Sequence, residues 1–438
     1  MVSAVSIAVP VPRFSLSANP SLHPPNHRSF PATPRSIQLL CRLSAESSDG
    51  STSTSDLRVA FAAGGTGGRI LPALAIADEL RIMKPGIRVL FFGTPKSMES
   101  TVVAAAGYDF ASIPATPLYR PVFSPRNVLL PYRLLKSLIC SYRRLEEFDP
   151  DIVVGTGGYV SFPVCLAAVL KGIRLVIQEQ NAVPSLANWI LAHFADVVFV
   201  AFNSTVDSFP RHKCVVCGNP VRLALKRAVS KVEAKLHFFP KVESVDDSGV
   251  KVILVLGGSF GAYTINIALL NLYYQMLMEN ENLFIIWQTG VESFNEMESL
   301  VKNHPRLLMR PFLRSMDMAY AASDLIVSRA GAMTCSEILA TGKPSILIPS
   351  PNVDEGHQFK NASLMADLAG TRIITEDEVD STTLKVAIEE MLGDENQLAV
   401  MSERALKAAK PEASAEISER ILSLVNSSPR TSQKVEQI

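Results

Sequence analysis

The sequence predicts an α/β chain of two similar domains, each built on a parallel sheet, facing one another across a cleft. Three observations predict it. Short β-branched runs alternate with helical patterns along the 438 residues, as in parallel strands joined by helical crossovers. A strand that runs into a glycine cluster and then a helix occurs near residue 60 and again near residue 251. Between these halves, the polar stretch 226–249 carries charges and no strand signal, which suits a linker or insertion.

The elements follow in order. Residues 58–63 read as a buried strand, glycines follow, and 72–83 has helical periodicity. Residues 88–92 are a second strand, 151–155 another that again runs into glycine, and 175–178 and 197–200 add two more. After the interruption, 251–256 is a strand into Gly257-Gly258, followed by strands at 283–287, 324–328 and 345–349. Residues 252–278 hold no charged side chain and are long enough to span a bilayer. The turn Gly257-Gly258-Ser259-Phe260-Gly261 breaks that run, and Asn266, Asn271 and Gln275 dot its second half, so a strand, a glycine turn and a buried helix explain it better. The last helix, 413–426, has no strand after it and can pack back on the first domain. The expected division is a leader over 1–55, a Rossmann-like domain over 56–225, the linker over 226–249, a second Rossmann-like domain over 250–412, and a final helix and tail over 413–438.

Composition removes several classes. Lys and Arg (42) balance Asp and Glu (42), so general attraction to nucleic acid is not the main business. Aromatics are 7% and no basic block dominates, which argues against a nucleic-acid platform. Six cysteines are too few and too scattered for a disulfide scaffold, and 47% hydrophobic residues are too many for a disordered chain. The first 55 residues are a different polymer: thirteen Ser, seven Pro and four Arg, with no Asp or Glu before residue 46. Acid-poor, Ser-rich and Arg-bearing describes a disordered transit peptide, and the Ser/Pro content leans to a plastid. The expected location is the chloroplast stroma, at the inner envelope membrane.

Three glycine turns follow strands: Gly64-Gly65-Thr66-Gly67-Gly68, Gly155-Thr156-Gly157-Gly158-Tyr159 and Gly257-Gly258-Ser259-Phe260-Gly261. Glycine lets a ligand approach the backbone, and a helix N-terminus offers free N–H groups and the positive end of a dipole, so a phosphate or pyrophosphate is the natural guest. A dinucleotide-binding dehydrogenase wants an acid at the end of its second strand; here that strand ends in Gly93-Thr94, and the strict G-x-G-x-x-G spacing is missing. No P-loop pattern occurs. A nucleotide-linked group donor held between two domains remains.

The segments Gly64–Gly68 with Pro72, 155–161, Glu179-Gln180-Asn181, 218–222, 257–262, 328–337, and His357-Gln358 with Asn361-Ala362 resemble, in this order and over about 58–425, the MurG family. These are two-domain GT-B glycosyltransferases that attach N-acetylglucosamine to undecaprenyl-pyrophosphoryl-muramyl-pentapeptide. The resemblance implies inverting transfer from UDP-GlcNAc to a polyprenyl-pyrophosphoryl muramyl-peptide, with no cofactor and no metal. It puts the donor ribose on Glu337 and the diphosphate on Ala332, Met333, Thr334, Cys335 and Ser336, with Ser259 as a further donor. It puts uracil at the Leu313 backbone and the sugar hydroxyls at Gln358, beside His357. Asn181, Arg222, Thr66, Gly67 and Gly68 would face the sugar and diphosphate from the other domain, and Tyr159 would either steer the acceptor through its hydroxyl or serve in packing alone. Asp149-Pro150-Asp151, the local D-x-D, reads as a lead-in to a strand rather than a metal site.

Two departures matter. The family's first turn ends in His, where this sequence has Arg69, and its His before Glu-Gln-Asn is Gln178 here. Arg does not deprotonate in proteins and cannot be a general base. Glu179 is then the expected base, and a catalytically impaired UDP-sugar binder with a regulatory or scaffolding role is the alternative. Separately, residues 118–144 carry Arg120, Arg126, Arg133, Lys136, Arg143 and Arg144 among Val122, Phe123, Tyr132, Leu135 and Ile139, with no acid until Glu146. A basic amphipathic stretch of this kind can lie in a headgroup layer. Cys214 and Cys217 form a lone C-x-x-C with no second pair and in a strand setting, which argues against metal or redox use, and the remaining cysteines read as small buried hydrophobes.

Overall fold

The computed structural model describes residues 56–119, 124–241, 249–351 and 356–427. The leader expected over 1–55, Arg120, Val122 and Phe123 of the basic stretch, 242–248 of the interruption and the tail beyond 427 lie outside the described residues.

The first lobe alternates β1 (Arg58–Ala62), α1 (Gly67–Met83), β2 (Arg88–Gly93), α2 (Met98–Ala105), β3 (Asp109–Ser112), α3 (Leu130–Phe148), β4 (Ile152–Gly155), α4 (Ser161–Leu170), β5 (Arg174–Glu179), α5 (Leu186–Leu191), β6 (Val197–Val200) and β7 (Cys214–Val216). Its seven strands lie in the order β3-β2-β1-β4-β5-β6-β7, all pairs parallel. Helix α6 (Lys231–Phe238) leads into the second lobe: β8 (Lys251–Leu256), α7 (Tyr263–Glu279), β9 (Leu283–Gln288), α8 (Phe294–Leu300), β10 (Leu307–Arg310), α9 (Met316–Ala322), β11 (Leu325–Ser328), α10 (Ala332–Thr341), β12 (Ser345–Leu347), α11 (His357–Ala369), β13 (Arg372–Ile373), α12 (Ser381–Gly393) and α13 (Glu395–Ala408). Its six parallel strands run β10-β9-β8-β11-β12-β13. Both lobes are Rossmann-like, and each strand order reverses direction once, at β1/β4 and at β8/β11.

Both sheets are covered on both faces, which is why their central strands read as continuous apolar runs. The charge-free stretch 252–278 resolves into β8 and α7, and among the described residues no helix is long and apolar enough to cross a membrane. Helix α14 (Ala413–Asn426) crosses back: Ile417 and Ile421 are fully buried in the first lobe's core, and the Ser418 hydroxyl donates to the Ile76 carbonyl at 3.4 Å.

Two differences from the sequence reading have physical causes. The edge strands β3, β10 and β13 have no counterpart among the expected strands; each is short and only partly covered, a weaker signal than the fully buried central strands give. Helix α1 begins at Gly67, not at 72. Pro72 reads as a helix start, but Ile70 is buried in the core, and that burial extends the helix one turn toward the glycine cluster.

Candidate functional site

In doubly wound sheets a crevice forms outside the carboxyl ends of the strands where the order reverses. Four segments leave strands at those places: 64–68 after β1, 155–159 after β4, 257–261 after β8 and 328–334 after β11. Three of them are the glycine turns. A cleft of about 740 Å³ is lined by residues of the first, third and fourth of these segments. A Cβ at Gly67 would sit 3.5 Å from Ser259 Oγ, so the first and third turns face one another. The second turn packs behind the first: a Cβ at Gly158, where φ is +94°, would lie 2.6 Å from the Gly64 carbonyl oxygen, so only glycine fits.

The second lobe supplies the built end of the cleft. Gly331 is extended and caps α10, leaving the first-turn amides of Ala332, Met333 and Thr334 without helical acceptors. These three residues line the cleft, with Ser259 and Gln358 beside them. Gln358 accepts from the Ser350 amide at 2.9 Å. Glu337, one turn into α10, also lines the cleft and is 3% exposed. The Tyr320 hydroxyl donates to Glu337 Oε2 at 2.9 Å, and Arg222 Nε stands 3.1 Å from Oε1. That Arg222 contact is an ion pair whose angle is too poor for a hydrogen bond. Burial first, then the neighbouring Glu337 charge, holds the Tyr320 phenol protonated far above its usual range.

The first lobe contributes Thr66, Gly67, Gly68, Arg69, Asn181 and Arg222 to the cleft. The Arg69 side chain lies against Gly158 and Gly65, and its guanidinium has no hydrogen-bond or ion-pair partner among the described residues. Asn361 of α11 reaches over: its Oδ1 accepts from the Ala182 amide at 3.0 Å and its Nδ2 lies 3.4 Å from Asn181 Oδ1.

Five expected site residues lie outside the cleft lining: Glu179, Tyr159, Leu313, Cys335 and Ser336. Glu179 is fully buried; Oε1 accepts from the backbone and side-chain nitrogens of Asn181, and Oε2 from Ser185 N, Ser185 Oγ and Asn188 Nδ2. Both oxygens are occupied away from the cleft, which corrects the expectation of a base; the carboxylate instead shapes the 179–188 loop and orients Asn181. Tyr159 packs its ring against Gly65 and the core of the first lobe, which favours the packing role over steering the acceptor. The Leu313 amide donates to Gln288 Oε1 at 2.9 Å, so that N–H is already engaged, and Phe312 beside it faces the cleft. Cys335 lies in the second lobe's core, and burial pushes its thiol up to about 12.

Ser336 faces the other lobe. Asn219 Nδ2 donates to its hydroxyl at 2.9 Å, and the Ser336 hydroxyl donates to the Ala332 carbonyl. Gln178 Nε2 in turn donates to Asn219 Oδ1 at 3.0 Å. Gln178 is therefore fully buried behind Asn219, the residue that crosses to the second lobe, and is not among the residues lining the cleft.

Sequence reasoning missed Tyr320, Gln288, and the group Arg329, Thr264 and Glu376, all in the cleft wall. Arg329 pairs in a fork with Glu376, which also accepts from the Thr264 hydroxyl. Burial works to raise the Glu376 carboxyl, but the hydrogen bonds from Arg329 and Thr264 outweigh it and hold it below its usual range. The one available signal was Arg329 inside the 328–337 segment. Asp149 and Asp151 sit at the amino end of β1, where Asp151 Oδ2 accepts from the Arg58 amide at 2.9 Å, and this fits their reading as a lead-in. Among the described residues, no three His, Cys, Asp or Glu side chains are grouped to hold a metal. Burial pushes the Cys217 thiol up to about 12 and also raises Cys214, so the C-x-x-C is poor in thiolate.

Two family models match: the glycosyltransferase family 28 N-terminal domain over 59–200 and the glycosyltransferase family 28 C-terminal domain over 252–419. The chain is 38% identical over 374 residues, 85% of this chain and 98% of the relative, to the UDP-N-acetylglucosamine–N-acetylmuramyl-(pentapeptide) pyrophosphoryl-undecaprenol N-acetylglucosamine transferase of Salinibacter ruber. It is 37% identical over 372 residues to a transferase of the same description from Bacillus cereus, covering 84% of this chain and 100% of that one. The crystal structure of Acinetobacter baumannii MurG superposes with a TM-score of 0.63 at 27% identity, covering 84% of this chain and 99% of that chain.

Proposed function

The chain belongs to glycosyltransferase family 28, and we propose that it transfers N-acetylglucosamine from UDP-GlcNAc to a polyprenyl-pyrophosphoryl muramyl-peptide with inversion at the anomeric carbon. The observation that carries this reading is Glu337, buried one turn inside the free amides at the start of α10. A carboxylate there accepts from both ribose hydroxyls while the amides of Ala332, Met333 and Thr334 take the diphosphate. Gln358 reads the sugar, and Ser259 adds a donor from the third turn.

The reaction is a direct displacement: the acceptor hydroxyl attacks the anomeric carbon, the bond to the diphosphate oxygen breaks, and UDP leaves. Negative charge grows on the departing diphosphate, where preorganised amides and Arg222 oppose it. Arg69 cannot take the acceptor's proton. Its guanidinium, unpaired among the described residues and set at the first two glycine turns, supports an electrostatic task, holding the acceptor's own diphosphate. Base assistance contributes about 10²–10⁴-fold, so turnover is slow and rests on stabilising the leaving group. A radiolabel transfer assay with UDP-GlcNAc and the lipid acceptor tests the reading. Label should pass to the lipid; no transfer alongside intact UDP binding would overturn it.

The composition of residues 1–55 supports import into a plastid as the place of action. A fluorescent protein carrying those residues should enter isolated chloroplasts, and its exclusion would remove the assignment. Helix α3 supports peripheral membrane contact: Tyr132, Leu135 and Ile139 are exposed apolar side chains, and Arg133, Lys136 and Arg143 lie among them. The purified chain should float with anionic vesicles, and failure to bind them would end that part of the proposal.

A further inference from the structure

The cleft wall contains a buried phenol whose hydroxyl meets the donor-site acid. Tyr320 is 1% exposed, and its ring is locked in the core that joins α9 and α10, with Leu313, Met316 and Ile338. Its hydroxyl reaches Glu337 Oε2, and Arg222 approaches the other oxygen. A buried hydroxyl without an acceptor is costly, so the ring's packing and the hydrogen bond fix one another. Glutamate has three side-chain torsions, and its terminal one is broad. A carboxylate that must meet two neighbouring hydroxyls needs that rotation stopped. Arg222 alone would not stop it in the right place: a guanidinium fork draws both oxygens to itself when nothing holds one of them back.

We propose that Tyr320 is a positioning residue that holds the Glu337 carboxylate in the rotation that recognises a ribose diol, making the site selective for ribonucleoside over 2′-deoxyribonucleoside diphosphates. This rests on the reading that Glu337 takes the donor ribose. Tyr320 does not touch the sugar nucleotide; it acts through Glu337.

The test is titration of UDP and 2′-deoxy-UDP into the wild-type chain and Tyr320→Phe, which keeps the ring and so the core. The wild type should prefer UDP, and Tyr320→Phe should lose about ten-fold of that preference, the order of a hydrogen bond to a charged group, with the fold retained and a single cooperative unfolding transition. In a Glu337→Gln background, where the preference is already gone, Tyr320→Phe should remove nothing more. A merely structural role would weaken both nucleotides equally in both backgrounds. A wild type that discriminates and a Tyr320→Phe variant that discriminates equally well would overturn the inference alone. A wild type that binds neither nucleotide, or both alike, would overturn the inference together with the ribose reading beneath it.

Discussion

The two sides of the cleft are built differently. On the second-lobe side, Glu337 is buried and held by Tyr320 and Arg222, and Arg329, Glu376 and Thr264 brace the wall beside it. On the first-lobe side, the only carboxylate of the Glu179-Gln180-Asn181 segment is sealed away behind Asn181, and the cleft shows glycine amides and Arg69, whose guanidinium has no partner among the described residues. One side is pre-organised with paired side chains before any ligand arrives; the other offers backbone amides, Asn181 and two cations, of which Arg222 is already committed to Glu337. The difference suggests a division of labour, with recognition concentrated on the donor and looser electrostatic grip on the acceptor.

The largest effect that would break this comparison comes from Glu337. Glu337→Ala removes the acceptor for two hydrogen bonds of the charged class and should lower kcat/KM about 10²–10³-fold, mostly through donor affinity, as steady-state kinetics against UDP-GlcNAc will show. Glu179→Gln sharpens it from the other side. The substitution turns an amide group toward donors, so it should cost about 1–3 kcal/mol of stability, read by denaturant unfolding, with turnover per folded molecule changed little. A loss of 10²–10⁴-fold in turnover with the fold intact would instead restore Glu179 as a base. Arg69→His puts an imidazole at the first turn and should raise kcat on the order of 10²-fold, the low end of base assistance, while raising the KM for the lipid acceptor, because the fixed charge is gone.

The smallest effect concerns what keeps α9 and α10 in register behind the site. Lys343, just past α10, donates to the Ser323 carbonyl at 2.8 Å at the end of α9. Burial, helped by nearby Lys231, lowers its ammonium from 10.5 to about 8. Below pH 8 both folded and unfolded chains carry the proton and the burial cost is fully present. Between about 8 and 10.5 the folded chain sheds its proton while the unfolded chain keeps it, so stability contributed by this group rises with pH, by at most ~3 kcal/mol. The stability of the wild type relative to Lys343→Met should therefore grow as pH rises through that window.

Most of the architecture was legible because central strands are covered on both faces and announce themselves as apolar runs, while the three glycine turns mark where those strands stop. The edge strands β3, β10 and β13 are short and half-covered and send a weaker signal. The site divides the same way. Residues in the turns and along one stretch of helix α10 are visible as motifs. Tyr320 is not, because its meaning comes from a hydrogen bond across seventeen residues of sequence between two helices. Nor can a motif tell which way a side chain at a strand end points: Gln178 and Glu179 close β5, and both turn into the interior. That is why Glu179 reads as a base in sequence and stands as a loop anchor in the fold.

Calorimetric titration of the chain with UDP-GlcNAc tests the central claim most directly, since everything else assumes a sugar nucleotide gripped by α10 and Glu337. One saturable binding event per chain, abolished in Glu337→Ala and retained in Arg69→His, is the predicted result. No heat from any uridine diphosphate compound, or binding that Glu337→Ala leaves untouched, would contradict it.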